Sequence, residues 1–420
     1  MTQRKAAAAV VQPTPLHHPP TTTTTTTVHT NSNTTTQIPV AYAVSVTGCG
    51  SDPITEGGAV LAHSIRRAAS LSSTSSTYSV GGIFALVHPS ALECAQALEA
   101  VGYTVLVRET PVAVDEIQGE YLRSHIEANG CCGEKELIKL EAYTLTDYPL
   151  VVHLDLDVLV LQPLDTVFDL LLSPERVPEE QIQQTVQWKD RLPKGSAGSI
   201  QAAFTMDYNM VQPHVQYKPV QGGFLIIQPS LDVYQEYKDI IQKGDFRKNG
   251  GWGGQVGPFY GSMTFQGIIP YYYHVLHPGT SVELNRCQYN QMCDNPRTGR
   301  TKNDIVSGDC RTGESECTDC RTVPLESVVT THFTLCQKPW WCLPHGEDAV
   351  QHRLCRKLTH AWYQIRSEME QSWGRSGTGS GTYQPEQFYG YCASSGKKGY
   401  LPIAKPFGKA ITDGAGAATA

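Results

Sequence analysis

Val151 to Asp165 reads VVHLDLDVLVLQPLD, an apolar run interrupted by Asp155 and Asp157. Val151, Val152, Leu154, Leu156, Val158, Leu159, Val160 and Leu161 predict a strand buried on both faces, the pattern of a parallel sheet covered by helices. The carboxylates therefore stand where charge is costly. Desolvating each one costs roughly several kcal/mol unless a cation, a ligand or a helix N-terminus offsets it. In open α/β sheets the carboxyl end of a strand is also where ligands bind. The plainer alternative is a strand ending in solvated aspartates ahead of a turn at Gln162-Pro163.

Working outward, Glu134 to Leu145 (EKELIKLEAYTL) spaces Leu137, Leu140 and Leu145 as on a helix, and Thr146-Asp147-Tyr148-Pro149 leads from it into the strand. Further upstream, Ala41 to Thr47, Ile83 to Val87 and Tyr103 to Arg108 read as strands, with helical Gly58 to Ala69 and Ala91 to Ala100 between them. This alternation predicts an α/β nucleotide-binding half with a mostly parallel central sheet. Glu179 to Tyr217 breaks the pattern: it is polar, lacks clear periodicity and is long for a passive loop. It reads either as an acceptor-facing insertion or as a surface elaboration.

Lys139-Leu140 on the predicted helix, Tyr148 before the strand, and Asp155-Leu156-Asp157-Val158-Leu159-Val160-Leu161 resemble, in order and nearly in spacing, the pattern of glycosyltransferase family 8, its glycogenin-like members in particular. Gln221 to Ser230 (QGGFLIIQPS) is similar to that family's small-residue turn and strand ending in Pro-Ser. His332-Phe333 with Lys338-Pro339-Trp340 is similar to its His-x5-Lys-Pro-Trp element. The resemblance spans about residues 39–340. It implies a GT-A-type nucleotide-sugar-binding fold and metal-dependent, retaining transfer of a hexosyl unit from a nucleotide-diphosphate sugar, UDP-glucose by default, to a sugar, lipid or protein acceptor.

By the same resemblance Asp155 contacts the metal and the ribose, Asp157 and His332 complete the metal site, Lys338 neutralises diphosphate charge, and Lys139 and Gly223 help hold the donor. Oxygen ligands suit magnesium or manganese, and an added imidazole leans toward manganese. Taken singly, His332 reads as an ordinary partly buried histidine and Lys139 as a solvated helix lysine. The chain also departs from the pattern. Gln221 stands where relatives have Asn, Phe265-Gln266-Gly267 where they have Asp-Gln before a helix, and Leu335 replaces a glycine. Gln221 and Gln266 are thus the candidates for catalytic groups beyond Asp155 and Asp157.

The 420 residues are 40% hydrophobic, enough for one large catalytic domain. It is expected over residues 38–373, between a Thr/Pro-rich tail at 1–37 and a flexible Gly/Ser-rich tail at 374–420. A net charge of −7 with no basic stripe argues against nucleic acid. No apolar run reaches the length of a membrane span, and Arg4 to Val11 is too short for a secretory signal.

Eight of the thirteen cysteines fall between Cys287 and Cys355. Disulfides stapling a loop-rich segment around His332 are the preferred reading, with a zinc site at Cys317 and Cys320 as the alternative. Disulfides favour a secretory lumen such as the Golgi; the missing address favours the cytoplasm. Two other functions fit parts of the sequence. Asp155-Leu156-Asp157-Val158-Leu159 resembles the first motif of haloacid-dehalogenase-type phosphatases, and the departure at Phe265-Gln266 fits a non-catalytic sugar-nucleotide-binding protein.

Overall fold

A computed structural model describes residues 37–50, 52–72, 77–187, 200–300, 306–342, 350–375, 391–393 and 396–408. The expected N-terminal tail lies outside them except for Gln37, as does the Gly/Ser stretch at 376–381.

The strands are β1 (Ile38–Val46), β2 (Tyr78–Val87), β3 (Thr104–Val107), β4 (Leu150–Leu154), β5 (Val158–Val160), β6 (Ala202–Met206), β7 (Val220–Ile227), β8 (Phe246–Arg247), β9 (Gly251–Trp252), β10 (Ser281–Glu283), β11 (Arg297–Arg300), β12 (Val306–Cys310) and β13 (Thr330–His332). Seven of them form the central sheet in the order β10-β6-β7-β4-β1-β2-β3. Its pairs are parallel except where β7 lies between β4 and β6 and runs against both. The α/β class with a mostly parallel sheet is what the chain forms. Val40, Tyr42, Val44 and Val46 of β1 point into one apolar layer, while Ala41 and Ala43 point into the other. Each face of the sheet is therefore covered, as an apolar parallel strand requires.

Three expectations need correction. Val151 to Leu161 is not one strand. β4 ends at Leu154, the chain turns through Asp155-Leu156-Asp157, and β5 leaves the sheet to pair antiparallel with β13. Uniform burial hides the break, because Leu156 and the β5 residues are as buried as β4. Glu179 to Tyr217 is not wholly an insertion, since it contains β6, a five-residue strand buried along its whole length and so without an alternating pattern. The Lys139 segment, Gly133–Thr144, is helical but wound as 3₁₀.

The helix Ile54–Leu71 lies across the turn after β4. A side chain at Gly57 would come 2.6 Å from the Leu156 carbonyl oxygen and 2.8 Å from the Trp340 ring, so only glycine allows this approach. The helix Val350–Ser372 joins it through an Arg67–Glu368 pair at 2.8 Å.

Of the expected tail at 374–420, residues 374–375, 391–393 and 396–408 are among those described. Cys392 is disulfide-bonded to Cys342, Tyr391, Ile403 and Phe407 are buried, and the Glu56 carboxylate accepts from Tyr400 Oη at 2.8 Å and from Ile403 N at 3.1 Å. The segment after the Gly/Ser stretch thus returns to cover the first turn of the helix Ile54–Leu71.

Candidate active site

Asp155 and Asp157 sit at the carboxyl end of β4, next to the parallel strand β1. The Asp155 amide donates to the Gly223 carbonyl at 3.0 Å, and the Val158 amide donates to the Asp155 carbonyl at 3.0 Å, closing the turn. Because β5 pairs with β13 in the register Val158↔His332, and the Phe333 amide donates to the Asp157 carbonyl at 3.0 Å, the imidazole is delivered to Asp157 by backbone pairing. Its Nε2 lies 3.1 Å from Asp157 Oδ1. Lys338, at the entrance of the short turn Pro339–Trp341, pairs with the other Asp157 oxygen. Burial alone would raise the Asp157 carboxyl, but an imidazolium at His332, with a proton on Nε2 as well as on Nδ1, and the Lys338 ammonium outweigh it and hold it well below the usual carboxylate range.

The ring orientation of His332 follows from Gln221. The Gly223 amide donates at 2.7 Å to Gln221 Oε1, which fixes that atom as the oxygen, because a backbone N–H can only donate. His332 Nδ1, 3.1 Å from the same oxygen, must then carry a proton. Asn290 Nδ2 supplies a further donor at 3.1 Å. With its proton on Nδ1, a neutral imidazole turns its Nε2 lone pair toward the Asp157 carboxylate. Two acceptors so close need a proton or a cation between them.

The ligand atoms of Asp155, Asp157 and His332 lie within 4.8 Å of one another, so the donor set and its spacing fit a divalent ion. Gln221, a candidate catalytic group by sequence, has its amide oxygen committed to holding the histidine. Asn290, which sequence reasoning missed, holds Gln221.

Lys139 is buried, unlike an ordinary helix lysine. Its ammonium is 2.9 Å from Asp155 Oδ1, 3.6 Å from Glu136 Oε1 and 2.9 Å from the Gly222 carbonyl. Burial would lower its pKa, but Asp155 and Glu136 raise it well above the ordinary lysine value. Lys139 therefore stays charged and fixes Asp155. Glu136, also missed, accepts from Thr264 Oγ1 at 2.5 Å. Gln266 is nearly buried beside Gly222 and Gly261, outside the cavity lining. Tyr148 is a packing residue: its hydroxyl donates to the Gly81 carbonyl at 3.3 Å and its ring meets Phe84 edge-on.

Asp155, Asp157, Lys139, Glu136 and Lys338 open on a cavity of about 330 Å³, within the range of small-ligand sites. Ser45 to Gly48 at the end of β1, Asp52, Lys139, Asp155, Asp157, Lys338 and Trp340 contribute to its wall. Next to it, His153 is fully buried with Nε2 2.8 Å from Ser45 Oγ, and burial first and Lys139 second push its pKa down to about 3. It is a neutral structural histidine.

Disulfides brace the loop that carries the site. Cys336–Cys355 ties the stretch between His332 and Lys338 to the helix Val350–Ser372, and Cys342–Cys392 fixes the end of the Pro339–Trp341 turn. Cys317 pairs with Cys310 and Cys320 with Cys287, which removes the zinc alternative at those two residues. Cys293 remains a free buried thiol inside the cysteine-rich stretch, and one bridge reaches beyond that stretch to Cys392.

No family model matches the chain, and no curated protein matches it. Among solved structures, the galactosyltransferase LgtC with donor and acceptor sugar analogs aligns at 12% identity over 78% of this chain and 95% of its own, with a TM-score of 0.40. Mouse xyloside xylosyltransferase 1 aligns at 13% identity over 70% and 97%, TM-score 0.40. The glycosyltransferase GlyE of Streptococcus pneumoniae aligns at 13% identity over 80% and 64%, TM-score 0.40. Likenesses this distant do not assign an activity.

Proposed function

We propose that the chain is a metal-dependent GT-A-type glycosyltransferase, similar to family 8, that moves a hexosyl unit from a nucleotide-diphosphate sugar to a sugar, lipid or protein acceptor, with UDP-glucose as the default donor and retention of configuration. The observation that carries this reading is the convergence of Asp155, Asp157 and His332 within 4.8 Å, next to a cavity at the carboxyl end of β4 whose wall includes Asp155, Asp157 and Lys338. Asp155, Asp157 and His332 would hold Mn2+ or Mg2+. A divalent ion bound there stabilises the negative charge that develops on a diphosphate leaving group.

The chain's own residues do the rest. Lys338 turns from Asp157 to the diphosphate, Lys139 keeps Asp155 aimed, and Gln221 keeps the proton on His332 Nδ1. Gly223 leaves room for the imidazole. The bridges at Cys336 and Cys342 support folding in an oxidising lumen. The reading as a phosphatase of the haloacid-dehalogenase type leaves the element from His332 to Trp340, and with it the imidazole at Asp157, unexplained. The non-catalytic alternative retains one supporting feature, the missing carboxylate before Gln266, where Phe265 stands in place of the Asp of the family's Asp-Gln.

Incubation with UDP-glucose and a panel of other nucleotide sugars, with manganese and beside a phosphate monoester, tests the reading. Release of UDP only with metal present supports it. Hydrolysis of the monoester alone would replace it with the phosphatase, and metal-dependent UDP binding without turnover would replace it with the binding protein.

A further inference from the structure

The cavity wall contains a second reactive feature, the adjacent free thiols of Cys131 and Cys132. Both are exposed, with sulfurs 2.8 Å apart. Gly130 and Gly133 flank them with φ of +70° and +61°, and a side chain at Gly133 would run into the Glu127 backbone, so the turn that brings the sulfurs together depends on glycine. Cys132 immediately precedes the segment Gly133–Thr144, which carries Glu136 and Lys139 into the site.

We propose that Cys131 and Cys132 form a site of reversible oxidation whose co-reactant is a low-molecular-weight disulfide such as glutathione disulfide, and that closing the pair changes how tightly the cavity holds an anionic ligand. The second half rests on the nucleotide-sugar reading of the cavity. In the reaction, one cysteine thiolate attacks a sulfur of the small disulfide and expels one thiol. The neighbouring thiol then attacks the protein sulfur of the mixed disulfide and expels the second. Two protein thiols and one small disulfide become one protein disulfide and two small thiols. Two electrons pass to the expelled sulfurs, which take up the two protons.

Adjacency makes the product labile. Neighbouring α-carbons across a trans peptide are about 3.8 Å apart, whereas disulfides span about 4.4–6.8 Å between α-carbons. The peptide between Cys131 and Cys132 is not among the cis bonds. The five other bridges span 4.8 to 6.0 Å, within the ordinary range. A closed Cys131–Cys132 ring is therefore strained and easily reduced, the property of regulatory rather than structural bridges.

The open pair also places charge on the wall. The hydrogen bond from Cys131 brings the Cys132 thiol down to about 7, so near neutral pH it is partly thiolate beside Glu136. Closure removes that charge from a cavity meant for a diphosphate.

The test equilibrates the full chain in glutathione buffers of graded composition, blocks free thiols with N-ethylmaleimide and counts labels on the Cys131–Cys132 peptide by mass spectrometry. We expect two labels in reducing buffers and a closed, unlabelled peptide in oxidising ones, with the five other bridges intact throughout. Two labels in every buffer, or glutathione adducts that never close, overturn the proposal. UDP affinity with manganese, measured on each form at about pH 8, should be about threefold tighter for the closed form. In Cys131→Ser and Cys132→Ser it should not respond to the buffer. Equal affinity of the two native forms overturns the coupling. Absence of UDP binding to either form refutes the nucleotide-sugar reading, while the label count is decided without nucleotide.

Discussion

The imidazole of His332 occupies the space that a side chain at Gly223 would fill: a Cβ there would lie 2.5 Å from Nδ1, and closer still to Cε1. The same Gly223 amide fixes the Gln221 oxygen that receives the Nδ1 proton, and its carbonyl receives the Asp155 amide. One backbone unit of β7 thus sets the position of both a carboxylate-bearing turn and the histidine.

Gly223→Ala should therefore displace His332. The strand remains apolar and paired, so the expected loss of stability is about 1–3 kcal/mol, the ordinary cost of overpacking. Manganese-dependent UDP binding should fall at least about tenfold, a difference of about 1.4 kcal/mol. Calorimetric titration of the folded variant checks this, and unchanged affinity would separate His332 from the ligand site.

His332→Ala and Lys338→Ala should fail in different ways. Removing the imidazole takes away a metal ligand, so raising manganese should restore part of the rate. Removing the ammonium frees one Asp157 oxygen while weakening nucleotide-sugar binding and lowering kcat, with no rescue by metal. Equal, metal-insensitive losses in both variants would make the His-x5-Lys-Pro-Trp element structural.

Paired Cys342→Ser and Cys392→Ser should cost about 2–5 kcal/mol and loosen the turn that carries Lys338. Denaturant titration gives the stability change. Peptide mapping without reductant should show Cys342 joined to Cys392 in the native chain; free thiols at both positions would remove the brace.

Asp207 gives a pH test. Burial first, and the nearby Asp294 second, raise its carboxyl from 3.8 to about 6. The folded chain therefore binds the extra proton more tightly than the unfolded one. This contribution is fully present below about pH 4 and is lost as pH rises through about 6. Asp207→Asn should flatten the fall in stability across that window by on the order of 2 kcal/mol relative to the native chain. Identical pH profiles for the two proteins would contradict the raised value.

What the sequence determined by itself was local chemistry. The apolar run into Asp155 and Asp157 marked a buried strand end, strand and helix alternation marked the α/β class, and clustered cysteines marked bridges. Each signal depends on residues close together in the chain, where side-chain periodicity and desolvation act directly. Tertiary structure decided what depended on distant pairing. The split of the Val151–Leu161 run became visible only through β13, because both halves are equally buried. The partners of Asp157 come from β13 and the following turn, and the proton on His332 is set by an amide on β7. The C-terminal segment reads as a flexible tail because a Gly/Ser stretch opens it, yet Cys392 is bonded to Cys342 and lies 3.1 Å from Tyr363 Oη of the helix Val350–Ser372, and the Ile403 amide donates to Glu56 of the helix Ile54–Leu71. A short segment interrupted by Gly, Ser and Pro carries no periodic signal, and its order comes from the surface it meets.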